Sequence, residues 1–277
     1  GTSGVIYGVS DQLTYDQQSR INTFAHVNYT EQQKHLGVLL CINGTGSLYR
    51  WAKNNFGNGL SYSQLNNEAK KAPIGSDGLQ VLPFGNGAER MLNNKQVGAH
   101  FQNIDLNLHT PAHIFRAVQE GIASAFRYGL DIMRSNGMNP TVIRAGKSNL
   151  FLSELFAETF VNATGVPVEL YNNDGSVGAA LGAGTGAGGD RTGCAGGAEH
   201  RPGGGRVVRL FHRPGLRRGR LRQRHLRGLR ERGGNHLAGL VHRWARRLDQ
   251  GRWRFVVAGR ADLPHRPRLG DHRQAER

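Results

Sequence analysis

Gly1-Thr2-Ser3-Gly4 leads directly into Val5-Ile6-Tyr7-Gly8-Val9-Ser10-Asp11, an apolar run entered through two glycines and two hydroxyl side chains. This reads as a strand with a polar lip. The glycines let backbone N–H groups approach an anion, and Thr2 and Ser3 can donate to it, which suits a phosphate cradle. An ordinary strand end has the same composition, so the choice rests on the residues from Asp11 to Gly188. No Met and no strand precede the motif, and further residues are expected upstream of Gly1.

The chain has 277 residues and a formal net charge of +16, which on average would point to a nucleic-acid partner. The average misleads. Residues 1–188 hold 13 Lys+Arg and 13 Asp+Glu, whereas residues 189–277 hold 23 Arg, no Lys and seven Asp+Glu. After Gly189 there is also no Ile, Met, Tyr or Ser. A solvated basic arm would mix Lys with Arg and include Ser. The tail from 189 is therefore expected to be an out-of-frame translation, irregular or disordered, with its seam near Ala187-Gly188-Gly189. The alternative is a real Arg/Gly-rich arm that binds nucleic acid.

Between these ends the chain alternates strand and helix signals. Residues 4–11, 22–29 and 36–42 read as three strands of an antiparallel meander. Asn43-Gly44-Thr45-Gly46-Ser47 then opens a helix to Phe56, with Leu48, Trp51, Ala52 and Phe56 on its apolar face and Gly57 at its end. A strand passing through Gly-Thr-Gly into a helix start gathers free N–H groups at the positive end of the dipole, where a phosphate or nucleotide edge can sit. An ordinary strand–helix turn looks the same. A second helix fits Tyr62 to Lys71, and 79–84 is a short strand running into a Glu89-Arg90 loop. That loop is either functional or a surface ion pair of little value.

The clearest helix is 111–135. Thr110 is a plausible N-cap, Pro111 suits the first turn, Asn136-Gly137 closes it, and Phe115, Val118, Ile122, Phe126, Leu130 and Met133 form one stripe. His109 and His113 lie four apart without a third ligand in view, so no metal site is expected. Next come a strand at 141–144, the turn Ala145-Gly146-Lys147-Ser148-Asn149, a helix with Leu152, Leu155, Phe156 and Phe160 inward, and a strand at 166–171. Asn172-Asn173-Asp174-Gly175 makes the next turn. The last element, 176–187, is almost wholly Ala and Gly, which makes sense for a helix only where backbone or ligand must come close. Gly146-Lys147-Ser148 is not a P-loop: that motif needs a glycine where Thr141 stands. Cys41 reads as a buried thiol, Cys194 falls in the tail, and no disulfide framework, signal peptide or membrane-length apolar run is visible. A cytoplasmic protein is expected.

The order of elements resembles one half of an actin-like ATPase (ribonuclease H-like) α/β domain, a mixed sheet flanked by helices. The residues resemble the C-terminal domain of the FGGY carbohydrate kinases over residues 1 to 188. Gly-Thr-Ser-Gly is similar to that family's second phosphate motif. Leu82-Pro83-Phe84 with Gly87-Ala88-Glu89-Arg90 is similar to its Leu-Pro-Tyr…Gly-Glu-Arg segment, with Ala88 inserted. Arg116-Ala117-Val118-Gln119-Glu120-Gly121-Ile122-Ala123, Arg144-Ala145-Gly146-Lys147-Ser148, and Asp174 to Ala183 resemble its remaining motifs in the same order. The details are most similar to the bacterial xylulokinase branch. The Glu89-Arg90 and Arg116 to Ala123 matches speak against a non-enzymatic actin-like scaffold.

The resemblance implies ATP- and Mg²⁺-dependent phosphorylation of a ketose such as D-xylulose. Such a reaction is carried by positioning and charge neutralisation. By the same resemblance Gly1, Thr2 and Ser3 contact the β- and γ-phosphates. Gly44, Thr45 and Gly46 lie beside the nucleotide. Gly146, Lys147 and Asn149 border adenine and ribose, with the helix from Gly178 packed behind them. The family usually has Gly-Gly where Ala145-Gly146 stands, and the extra methyl is expected to narrow the approach. The Asp base, the first phosphate loop and most sugar contacts belong upstream of Gly1, in an N-terminal domain that this sequence lacks. Neither Asp11 nor Glu89 has an argument for replacing that Asp. The partners implied are ATP and a small sugar, with no membrane or nucleic acid.

Overall fold

The computed structural model describes residues 2–172, 175–186 and 208–210. Three small sheets gather around one long helix. In the first, β1 (Gly4–Ser10) and β2 (Asn22–Ala25) both pair antiparallel with β3 (Leu36–Ile42), giving the order β1-β3-β2. The sheet is not the expected meander, because β3 lies in the middle. β3 carries the fully buried Val38, Leu40 and Ile42 on one face, as expected of the central strand over the core. The eleven residues 11–21 are too long for a hairpin turn and let the chain cross to the far edge of β3. β2 stops at Ala25, where a turn at His26–Tyr29 takes over (Tyr29 N–H to His26 O, 2.8 Å).

The crossing segment is tied down by an acid. The carboxylate of Asp16 accepts the Arg20 backbone N–H (2.7 Å), Arg20 Nε (2.9 Å) and Nη2 (2.7 Å), and Asn136 Nδ2 (3.2 Å). Chiefly the Arg20 hydrogen bond lowers its pKa from 3.8 to about 2. A depressed folded-state value stabilises the fold above pH 3.8, and that contribution is lost as the pH falls through 2. Asp16→Asn is expected to cost about 2 kcal/mol at neutral pH. It should also flatten the melting temperature between about pH 4 and 2, where the wild type falls. Parallel melting curves for the two proteins across that window would refute the assignment.

After β3 comes α1 (Thr45–Phe56), which buries Leu48, Tyr49 and Ala52. Trp51, expected inward, is 46 % exposed and lies against Phe56 and Phe101 with ring centroids 5.6 and 5.8 Å away. α2 (Tyr62–Ala69) opens with a capping box: Ser61 Oγ accepts from Gln64 N–H, and Gln64 Oε1 accepts from Ser61 N–H. The second sheet pairs the buried β4 (Gln80–Phe84) with β5 (Gly98–Gln102), a strand that no sequence signal marks.

α3 (Pro111–Ser135) has the bounds read from the sequence, and all six residues of its stripe are buried. Gly121 lets it lie directly on β4, since a Cβ there would come 2.2 Å from the Val81 carbonyl oxygen. The buried Gln119 ties the helices together. Its Nε2 donates to Tyr49 Oη (3.2 Å), which donates to Asn66 Oδ1 (2.6 Å), and its Oε1 accepts from Ser153 Oγ (2.6 Å).

In the third sheet β6 (Ile143–Gly146) runs parallel to β7 (Val168–Tyr171), with α4 (Glu154–Thr164) between them in sequence. Ser153 caps α4 by accepting from Phe156 N–H, and Gly165 ends it at φ +70°. Leu155, Phe156 and Phe160 face inward as expected, but Leu152 is 62 % exposed because it precedes the cap, in a 3-10 turn. α5 (Gly175–Gly186) comes after β7. The expectation of an irregular tail meets one exception among the described residues: β8 (Val208–Leu210) pairs antiparallel with β7.

Candidate functional site

The register of the first sheet sets Gly4 beside Ile42, so the start of β1 and the end of β3 meet. The Ser47 N–H donates to the Thr2 carbonyl at 3.0 Å. Thr2 and Ser3, both exposed, thus share one place with the turn Gly44-Thr45-Gly46. Gly1 lies outside the described residues. Thr45 is only 1 % exposed, with its methyl against Gly4, so this residue can meet a ligand through its backbone alone. Cys41 is half-buried rather than buried, and its Sγ donates to Asn43 Oδ1 at 3.5 Å.

α1 begins without a side-chain cap, since Gly44 has none to offer. The carboxylate of Glu89, from a distant loop, instead holds the two residues that lead into the helix. It is fully buried, and both its oxygens lie 3.1 Å from the Asn43 N–H, with the Gly44 N–H as a further donor. Burial raises its pKa, and the two amides oppose that shift. The same loop holds the turn from outside. Asn43 Nδ2 donates to Ala88 O (2.7 Å), and Asn86 Nδ2 donates to Asn43 O (3.0 Å). A Cβ on Gly44 would fall 1.5 Å from the Pro83 carbonyl oxygen. Among the described residues the N–H groups of Thr45 and Gly46 have no partner, and they sit at the positive end of α1.

The second group of predicted residues lies at the carboxyl ends of β6 and β7, the end of a parallel sheet where ligands bind. The Lys147 N–H donates to Tyr171 O at 2.7 Å, which joins the turn after β6 to the one after β7. Gly146 is half-buried, Lys147 and Asn149 are exposed, and Asn149 adopts φ +49°. The Ala145 methyl does not narrow this edge, because it packs with Ile143 against the core. Arg144 pairs across the strands with Glu169 at 3.2 Å, and Glu169 also accepts from Tyr171 Oη at 2.9 Å. In α5 a Cβ at Gly178, Gly182 or Gly184 would meet no atom within 4 Å. Among the described residues, then, nothing packs against these glycines, and they leave this side of the helix open. Asn173 and Asp174 lie outside the described residues.

Residues 1–187 match the FGGY family of carbohydrate kinases, C-terminal domain. The chain belongs to that family. It is 32 % identical over 163 residues to the xylulose kinase of Staphylococcus epidermidis, covering 58 % of this chain and 32 % of that protein. With the xylulose kinase of Escherichia coli it shares 29 % over 187 residues, 66 % of this chain and 36 % of that one. The fold superposes on the ligand-bound xylulose kinase of Lactobacillus acidophilus with a TM-score of 0.63 at 22 % identity, covering 77 % of this chain and 42 % of that one. The chain spans about a third of the length of the curated relatives it matches.

Two of the FGGY motifs turn out to hold the fold. Arg90 does not pair with Glu89; its Nη1 donates to Asn22 Oδ1 (2.8 Å) and Ser19 O (3.4 Å), across the end of β2. In α3, Arg116 pairs with the buried Glu120 (2.8 Å) and donates to Ala72 O. His113 Nε2 lies 3.1 Å from Asp77 Oδ2, and the described residues contain no group of three or more His, Cys, Asp or Glu placed for a metal. The role of Glu89 is not apparent in the sequence. No nearby residue marks it, because the carboxylate reaches Asn43 and Gly44 from 45 positions beyond Gly44.

Proposed function

We propose that this chain is the nucleotide-binding half of an ATP-dependent sugar kinase that phosphorylates a ketose, with D-xylulose as the first candidate. The observation that carries the reading is the concentration of donors formed by Thr2, Ser3 and the Thr45 and Gly46 amides at the head of α1. A set made only of hydroxyls and N–H groups at a positive helix end suits phosphate oxygens. Gly146, Lys147 and Asn149 would border the adenosine, with the open small-residue surface of α5 beside them. Gly1 would complete the phosphate lip. The sugar is suggested by the xylulose kinases among the relatives. Mg²⁺ would arrive on the phosphate oxygens; the nearest acid, Glu89, is already committed to backbone amides.

The base that takes the sugar hydroxyl proton is proposed to lie outside this chain. Glu89 is buried, and Asp11 comes after the far end of β1, about 26 Å from the lip at strand spacing. The purified chain should bind ATP or ADP weakly in a direct titration, and replacing Thr2 and Ser3 together by Ala should weaken that binding several-fold. With ATP and D-xylulose it should release no ADP above a protein-free control. Absence of nucleotide binding would overturn the reading, and sugar-dependent ADP release would overturn the placement of the base.

Residues 1–188 as the kinase domain and 189–277 as an out-of-frame tail form part of the same proposal. It is supported by the match ending at 187, where Lys, Ile, Tyr and Ser leave the composition. Reading the coding DNA across codons 180–195 in all three frames tests it. A second frame that continues with Lys, Asp and Ile supports the frameshift, and a secure single frame overturns it.

A further inference from the structure

Glu89 spends a buried negative charge on two backbone amides that water would otherwise serve. A carboxylate with no exposed surface is costly to keep ionised unless its oxygens are well supplied with donors. Here the donors are the Asn43 and Gly44 N–H groups, the two that precede the helix. The next two, from Thr45 and Gly46, are those left for a ligand. Gly44 and Gly46 give this turn wide conformational freedom, and locally it has the Ser47 Oγ bond to Asn43 O (3.3 Å) but no side-chain cap. The remaining restraint comes from the 83–89 loop: the Pro83 carbonyl behind Gly44, the Asn86 and Ala88 bonds to Asn43, and the Glu89 carboxylate.

We propose that Glu89 is a positioning residue for nucleotide binding, its carboxylate fixing the Gly44-Thr45-Gly46 turn so that the Thr45 and Gly46 amides face a phosphate-bearing ligand. This rests on the nucleotide reading above. It also assigns a limit. With Asn43 and Gly44 already bonded to an internal anion, the head of α1 accepts one ligand oxygen cluster through two amides, and the rest of the phosphate charge must go to the Thr2-Ser3 lip. Protonating Glu89 would replace an acceptor oxygen by an O–H donor facing the N–H donors and loosen the turn. The groups around it do not compensate. The Cys41 thiol on β3 is pushed up by burial first, with a Ser3 hydrogen bond opposing and the Glu89 charge adding to the rise, so it supplies no cation to offset Glu89. Arg90 extends away to Asn22, and Lys95 meets Glu89 through its carbonyl, which accepts the Glu89 N–H at 3.2 Å.

The test uses the full chain and its Glu89→Gln variant, which keeps the size and one acceptor. In nucleotide-free protein, amide hydrogen exchange at Asn43 and Gly44 should speed up at least tenfold in the variant, with α3 unchanged. Affinity for Mg-ADP at pH 7.5 should fall at least tenfold. Wild-type affinity should fall further on acidification through the raised range of Glu89, and the variant should lack that step. A variant that binds Mg-ADP with wild-type affinity and pH profile overturns the proposal. So does unchanged exchange at Asn43 and Gly44. If wild type itself has no affinity for Mg-ADP, the proposed function fails and this role with it; the exchange data, which need no ligand, then tell that failure from the absence of a clamp. Should Glu89→Gln not fold, the wild-type pH profiles of affinity and of exchange protection at Asn43 and Gly44, taken relative to the intrinsic rates, decide alone, and flat profiles overturn the proposal.

Discussion

Gly44→Ala is expected to lower folding stability by about 3 kcal/mol or more, at the upper end of overpacking costs. The added methyl would sit 1.5 Å from the Pro83 carbonyl oxygen and 2.7 Å from its carbon, with the Gly85 nitrogen 3.4 Å away. All three are backbone atoms, so no side chain can rotate aside. Either β4 leaves its place on α3 or the head of α1 moves off Glu89, and both break buried contacts. Gly178→Ala is the control. Its methyl meets nothing within 4 Å, and Ala is the better helix former, so stability should hold or rise by up to about 1 kcal/mol. Urea midpoints of the two variants against wild type measure the contrast. Equal midpoints would mean that the approach of Gly44 to β4 is not as close as the structure has it. If α5 borders the nucleotide as proposed, Gly178→Ala should still weaken ADP binding, separating a ligand-facing glycine from a packing one.

The residues legible in the sequence are those whose neighbours are local. α3 can be bounded to the residue because its stripe repeats along the whole helix between Pro111 and Asn136-Gly137, and each signal lies within a few residues of what it controls. The Gly-Thr-Ser-Gly lip and the Gly-Thr-Gly turn are likewise visible as local chemistry. The features that escape are non-local. The pairing of β1 with β3 is decided by a long connection that no turn motif specifies. β5 has a glycine at φ +77° and no alternation, and exists because β4 needs a partner for its backbone. Trp51 reads as inward from its helical spacing with Leu48, Ala52 and Phe56, but Leu48, Tyr49 and Ala52 take the buried side and leave it against Phe101 of β5. Thr45 resembles a ligand contact because it stands between glycines, yet its side chain fills the space against Gly4. Glu89 is 45 positions from Gly44 in the chain. Nothing near Asn43 and Gly44 shows that a carboxylate so far along the chain accepts from their amides.

Glu120→Ala is expected to be the other severe variant, costing about 3–5 kcal/mol, because it leaves a buried cation uncompensated. Glu120 Oε1 accepts from Arg116 Nε at 2.8 Å and from the Gly75 N–H at 3.0 Å, and Oε2 accepts from Ser76 Oγ at 3.2 Å. Arg116 in turn donates to the Ala72 carbonyl at 2.9 Å. The turn so held includes Ser76 and Asp77 at φ +48° and +49°, conformations that cost non-glycine residues about 1–3 kcal/mol each and persist only under restraint. This turn feeds β4, whose other end supplies the Pro83 carbonyl behind Gly44 and then the Glu89 loop. The ion pair therefore acts on the candidate site through one strand, from 72–78 to 83–89. Glu120→Gln, which keeps an acceptor, should cost less than Ala. Replacing Arg116 and Glu120 together by Met and Leu should cost less than Glu120→Ala alone, since no unpaired charge remains. Denaturant titration of these three variants separates the cases. If the double replacement were as damaging as Glu120→Ala, the bonds to Gly75 and Ser76 rather than the charge would be what the turn requires, and the Arg-Ala-Val-Gln-Glu-Gly motif would serve that turn rather than its ion pair.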